Sequence, residues 1–584
     1  MTSVGKNLLD LSETEDYLTH NELGISTDSE IYLEQLLKLS CSDTGNVVRP
    51  LIVVLHLLCE LDYMSNNEFC YLMPLCTDTF STSYIVECIK NLRNGQSSID
   101  EIIRDFLLSK TNYQKGLERF CSNIFSEELL LSVGMNRKSA AYDKSYVALF
   151  NELKAVYIEK DDSRILPLFE SLKKFQNSIA IKWKKLLFDT SLTTVVKKDP
   201  VSHLLPLPKG VLDSEEKFKE FFFLTMHVNK AKATLEDYQD LNRRYLGLTN
   251  CFIFEDNIVK LDVVPKQFFR QAEEELYRQA YTKCEMLEQR TSLQTICPAL
   301  VFNEAKVIKG LNEELGTNVE TIKDVYNEVD KIRYKRLKKL VDSKFTNDKL
   351  VTLLNDFDNR NDEEINQMVT DNADIPTIFE YVLGIIWWKV SGEKGKVLDF
   401  LKLSLDANLL PITHAAGGEA DIVYEYQECI AYPKHSLLLE ATLADGTNQR
   451  RMEMEPVSRH LGNHLLRTGN DKSYCVFATT FLHVNVIGDF RMRKNIMYCD
   501  SQNADNYVQG MKIIPLCTND LRYIIQEKIT YDRLYKHFET AYISNEQHPQ
   551  KWYDGYVNIE KTYPNYYKHE DHMNMAAEPN IHND

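Results

Sequence analysis

Two short apolar runs, each carrying one carboxylate, constrain this chain more than any other feature. Asp421 heads Asp421-Ile422-Val423-Tyr424, and Glu440 ends the run Leu437-Leu438-Leu439-Glu440 ahead of Ala441 and Thr442. A break with Pro433 and Lys434 separates them and an Asp445-Gly446 turn follows, which predicts an antiparallel hairpin and then a third strand or loop. Pairing the two strands brings Asp421 and Glu440 together. With Glu453, Glu455 and His460 downstream, they form an oxygen-rich set suited to a hard divalent cation, for which Mg2+ is the natural choice. In a chain with 86 Asp and Glu residues, the same acids also read as solvated side chains on exposed strands.

The flanking elements bear on that choice. Pro376–Val390 (PTIFEYVLGIIWWKV) reads as a helix apolar on nearly every face, started by a proline and therefore buried. Glu380 is its one acid, and an unpaired buried charge is costly. Downstream, a helix opens at Glu455-Pro456-Val457 and runs to about Arg467. Strands follow at Tyr474–Phe481 and Ile513–Leu516, and a closing helix at Asn519–Lys528. His460 falls about one turn into the first of these helices.

This order, with Asp421 and Glu440-Ala441-Thr442, resembles the nuclease core written PD-(D/E)xK. More narrowly, three stretches are similar to the cleavage domain of the AlwI family of type IIS restriction endonucleases, which includes the BstNBI-type nicking enzymes. They are Thr413-His414-Ala415-Ala416-Gly417 with Asp421, Glu440-Ala441-Thr442, and Met452-Glu453-Met454-Glu455-Pro456-Val457-Ser458-Arg459-His460. The resemblance implies Mg2+-dependent hydrolysis of DNA phosphodiesters at a fixed distance from a recognised duplex sequence. It makes Asp421 and Glu440 the metal ligands and adds Glu453, His460 and Glu380 as catalytic-site residues. A cytoplasmic protein is expected on separate ground, since the first residues, MTSVGKNLLDLSETED, show no positive region followed by an apolar stretch. Ala420 replaces the usual proline before the aspartate, and Thr442 stands where the general pattern has lysine. Positioning the attacking water then falls to His460 or Glu453.

Composition is that of a globular multidomain chain: 43% hydrophobic and 26% charged residues over 584 positions. The most apolar run, Leu51–Cys59, is nine residues long, too short to span a membrane. Thirteen scattered cysteines without a CxxC pair argue for reduced thiols and against structural zinc. The net charge of −18 excludes a general nucleic-acid coat, so DNA contact has to come from local cations. Lys331–Lys339 (KIRYKRLKK) is the densest group, with Lys331, Arg333, Lys335 and Arg336 as candidate phosphate contacts and a solvated helix face as the alternative.

Residues 30–95 read as helices, with Pro50 starting one and a Ser65-x-x-Glu68 capping box starting the next. This fits a winged-helix or helix-turn-helix unit and equally a plain helical bundle; the family resemblance favours recognition. Residues 96–230 read as helical scaffold without a chemical motif. A helix at Leu235–Leu246 followed by a hairpin, Cys251–Phe254 with Ile258–Leu261, looks like a second winged-helix unit, with Arg243 and Arg244 in reach of phosphates or merely a surface pair. The chain is thus expected to be multidomain α/β. Its parts are a largely helical DNA-recognition region over 1–265, a stiff helical linker over 266–375 with an acidic hinge at 347–374, a PD-(D/E)xK cleavage core over 376–567, and a disordered tail over 568–584.

The expected function is that of a type IIS-like endonuclease acting on double-stranded DNA, with a second copy of the chain or a small nuclease subunit cutting the other strand. Strand-specific nicking and the large subunit of a heterodimeric enzyme are variants of this reading. A DNA-binding protein that has lost catalysis is the alternative of a different class, kept open by Thr442 and the acidic net charge.

Overall fold

The structure is a computed structural model that describes residues 2–14, 21–43, 46–136, 139–255, 257–414 and 420–564. Residues 415–417 of the Thr413–Gly417 motif and the tail at 568–584 lie outside these. Among the described residues no helix is long and apolar enough to cross a membrane. The chain divides into two compact units, residues 32–301 and residues 1–31 with 302–584.

The unit over 32–301 is helical around an aromatic core that includes Phe120, Phe150, Phe169, Trp183 and Phe222. The capping box forms: the Glu68 N–H donates to Ser65 Oγ at 3.2 Å, and the Ser65 N–H to the Glu68 carboxylate at 2.7 Å. Arg93 then binds both Glu68 oxygens, at 3.0 and 2.9 Å. The expected hairpin is present as Phe252–Glu255 with Ile258–Leu261, but it does not found a separate second unit. Met64 and Ser65 pair with Val259 and Ile258 to make one three-stranded sheet. A lone hairpin is only marginally stable in water and gains from a third strand. The helix expected over 235–246 is the end of a 33-residue helix, Glu215–Gly247, capped by Ser214.

The expected linker is not a spacer. Val263–Tyr277 buries Val264, Phe268 and Phe269 and packs on Pro50–Leu61 in the 32–301 unit. Farther on, Leu337, Val341 and Phe345 enter the main core of the other unit. The expected hinge is two helices, Asn347–Asn359 and Asp362–Met368, that bury Leu350, Leu353, Leu354, Phe357 and Ile365. Their acids lie on outward faces and hid an amphipathic pattern.

We number the elements of the second unit from its basic helix. They are α1 (Ile322–Lys344), α2 (Ile375–Val390), β1 (Ile422–Tyr426), β2 (His435–Thr442), α3 (Gly446–Met452), α4 (Met454–Thr468), β3 (Tyr474–Thr479), β4 (Ile513–Cys517) and α5 (Thr518–Gln526). The sheet order is β4-β3-β2-β1; β1 is antiparallel to β2, and β2, β3 and β4 are parallel. Leu437, Leu439, Tyr474, Val476 and Ile514 face α2 and α5, whereas Leu438, Cys475, Phe477 and Ile513 face α4. Cover on both faces explains why β2 and β3 read as continuous apolar runs. The chain is therefore helix-rich mixed α/β with small sheets.

One local expectation fails. Residues 446–452 are helix α3 and not a third strand or loop. The fully buried Gln449 fixes it: its amide donates to the Ala444 carbonyl and Thr479 Oγ1, at 3.3 and 3.2 Å, and accepts from the His483 N–H at 2.9 Å. Thr479 and His483 are distant in sequence, so local propensity does not announce the helix.

Candidate active site

The β1–β2 register pairs Ile422 with Leu439 and Val423 with Leu438, and continuing it by one residue sets Asp421 level with Glu440. Both carboxylates stand at the end of the sheet where parallel β2 and β3 run out, the usual place for ligand sites in α/β sheets. Asp421 Oδ2 accepts the Ala441 N–H at 2.7 Å, which locks the strand entry to the strand exit. Ala420, in the place of proline, is buried against the α4 layer.

Glu440 is 6% exposed and extends from β2. His460, on α4, meets it with Nδ1 2.8 Å from Oε1. Pro456 sits within the first turn of this helix, which begins at Met454, and the entry thus fixed turns position 460 toward the sheet. Glu453, at the junction of α3 and α4, accepts the Thr442 hydroxyl at 2.7 Å. Thr442 also takes the Ala444 N–H, at 3.1 Å. The residue in the lysine position therefore holds Glu453 by its hydroxyl, a role the sequence did not reveal. Glu455 pairs outward with Arg459 at 3.0 Å.

The electrostatics of this cluster are unbalanced. Burial pushes the Asp421 carboxyl well above the usual carboxylate range, and the charges of Glu440 and Glu453 push it further, against the Ala441 N–H. Glu440 is raised by burial and by Glu453 and Glu380, with Arg459 opposing. Glu453 is raised by burial, with the Thr442 hydroxyl and His460 opposing. Glu380 is buried on α2 and acts on Glu440 through its charge. Four acids, from α2, the residue before β1, β2 and the α3–α4 junction, thus bear on one place.

Among the described residues, no three His, Cys, Asp or Glu side chains converge as a ready-made metal cage. The donor set nonetheless fits a hard cation: it is carboxylate oxygen, and its mutual repulsion is what a divalent ion relieves.

The expected DNA contacts are dispersed. Lys331 pairs with Glu328 at 2.6 Å, and Lys335 is exposed on α1. Arg333 is half-buried, and Arg336 donates to the Ala407 carbonyl. In the other unit, Arg244 binds Asp240 at 2.7 Å and Arg243 lies over the Phe254 ring at 5.5 Å.

The AlwI restriction endonuclease family matches residues 1–524. The chain belongs to this family. It is accordingly a site-specific deoxyribonuclease, a hydrolase that acts on DNA. No curated protein matches the chain. Among solved structures, the small subunit (R.BspD6I2) of the heterodimeric restriction endonuclease R.BspD6I is similar over 34% of this chain and 94% of its own, at 18% identity and a TM-score of 0.25.

Proposed function

We propose that the family's hydrolysis takes place at the Asp421–Glu440–Glu453–His460 cluster, with Mg2+ as cofactor, and cuts duplex DNA at a fixed distance from the recognised sequence. The observation that carries this reading is the placement of His460, the buried Glu440 and the half-buried Asp421 and Glu453 at one end of the four-stranded sheet, where the three carboxylates repel one another. The strand order and the placement of Asp421 and Glu440 support a PD-(D/E)xK core. Asp421 and Glu440 would hold the ion, which when bound supplies charge neutralisation at the phosphate and a more acidic water.

The chain's own residues divide the remaining work. An ionised Glu440 accepts the His460 Nδ1–H, which fixes the tautomer and leaves Nε2 as the proton-accepting nitrogen. His460 is thereby the base that orients and deprotonates the attacking water. Glu453, held by the Thr442 hydroxyl, supplies a second oriented carboxylate, and Glu380 adds negative field from α2.

Recognition belongs to the 32–301 unit. Its three-stranded sheet, with helix Asn66–Tyr71 packed on it and helix Pro50–Leu61 packed in turn on Thr79–Arg93, supports one winged-helix unit assembled from both ends of that segment. Arg243 and Arg244 are its candidate phosphate contacts. On α1, Lys331, Arg333, Lys335 and Arg336 are further candidates, Arg336 with part of its donors already used. Incubating supercoiled plasmid with the protein, with and without Mg2+, and sequencing the ends tests the reading. Metal-dependent cuts at a constant offset from one sequence support it, and metal-independent or scattered cuts contradict it.

A further inference from the structure

His460 also lines a cavity of about 400 Å3 beside the acidic cluster, within the roughly 300–1,000 Å3 typical of small-ligand sites. Helix α4 forms one wall with His460, Asn463 and Arg467, spaced three and four residues apart and hence on one face. The loop carrying Asp500 and Asn506 forms the facing wall, and the edge strand β1 adds Val423. The cavity is thus continuous with the proposed cleavage centre through a shared residue.

Two of its polar groups, Asn463 and Asp500, are oriented by hydrogen bonds. The Tyr498 hydroxyl donates to Asn463 Oδ1 at 2.9 Å, which fixes the amide so that its NH2 group is the end able to donate to a ligand. The Tyr498 ring lies so close to α4 at Gly462 that a Cβ there would overlap it. On the facing wall, Asp500 accepts from the Gln502 N–H at 2.7 Å and the Asn506 amide at 3.3 Å. These bonds, the backbone one first, hold its carboxyl below the usual range. An ionised Asp500 repels a phosphate, so an anion entering the cavity settles on the α4 side and its uncharged remainder faces Asp500.

We infer that this cavity seats the deoxynucleotide adjoining the scissile phosphodiester, with the flanking phosphate taken by Asn463 and Arg467 as positioning residues. The inference rests on the cleavage centre proposed above. A group of this kind aligns the strand relative to His460, and alignment is worth rate as well as binding.

Duplexes carrying a single uncharged methylphosphonate, walked across the positions on either side of the mapped cut, test it. One flanking substitution should lower kcat/KM of the parent enzyme about tenfold, the usual size for one lost charge-assisted hydrogen bond. Asn463→Ala with Arg467→Ala should lose a similar factor on unmodified DNA and little more at that one position. Tyr498→Phe, which keeps the ring against Gly462, should show a smaller loss with the same dependence on position, and serves if the double variant does not fold. Losses that multiply at every position overturn the inference. Asp421→Ala, assayed alongside, separates the two levels: if it still cleaves, the cleavage centre is misassigned, and if it is inactive while the losses multiply, only the cavity assignment falls.

Discussion

Two buried acidic places in the same unit show what burial does and does not signify. Asp520, at the start of α5, is fully buried, and burial raises its carboxyl above the usual range. Its oxygens accept from the Cys517 N–H at 2.9 Å, the Ile559 N–H at 2.7 Å and the Tyr553 hydroxyl at 2.7 Å. The Asp421–Glu440–Glu453 cluster is raised as well, but its carboxylates push on one another and the donors between them are few. Asp520 is a satisfied structural anchor. The charge of the cluster is left unbalanced, the arrangement expected of the cleavage centre proposed there.

The first prediction sharpens that contrast with the largest effect. Asp421→Ala or Glu440→Ala should reduce DNA cleavage by on the order of a thousandfold or more while DNA affinity stays within a few-fold. Parallel loss of binding in a gel-shift titration would contradict the separation of the two tasks. Next, His460→Ala should cost on the order of a hundredfold in the single-turnover cleavage rate, the usual worth of a positioned base, with an unchanged melting temperature. A fall in both would make His460 a packing residue.

At Asp520 the consequence is reversed. Asp520→Asn should destabilise the fold by about 2 kcal/mol in denaturant unfolding, because an amide cannot accept all three hydrogen bonds. Cleavage per folded molecule should stay near that of the parent; its loss would draw Asp520 into the reaction. The smallest effect belongs to the surface. Lys331→Ala with Lys335→Ala should weaken binding to all sequences alike by several-fold and flatten its salt dependence. An unchanged slope would leave α1 a solvated face.

The cluster was legible because its signals are local. Two short apolar runs with a break between them predict the hairpin that sets Asp421 level with Glu440, and Pro456 sets the phase of His460. What stayed hidden depends on distant partners. The Thr442 bond to Glu453 and helix α3, anchored through Gln449, arise only once β2, β3 and α4 pack together. The pairing of Met64 with Val259 spans most of the 32–301 unit, and no pattern at either end names the other. The supposed hinge failed for a different reason, since its many acids masked a buried row at Leu350, Leu353, Leu354 and Phe357.

The most direct test of the central claim, that the cluster is an uncompensated charge set awaiting a cation, is the melting temperature of Glu440→Gln against the parent, across pH and with Mg2+. An acid raised in the folded state binds more protons there than when unfolded. The parent should therefore lose stability as pH climbs from the unfolded carboxylate range, about 4, through the raised folded value. The amide keeps its oxygen toward the His460 Nδ1–H and removes the charge. The account predicts that Glu440→Gln melts above the parent near pH 7.5 without metal, that the gap closes toward pH 5, and that Mg2+ raises the parent more than the variant. A variant that melts below the parent at every pH, with Mg2+ acting on both alike, would contradict it.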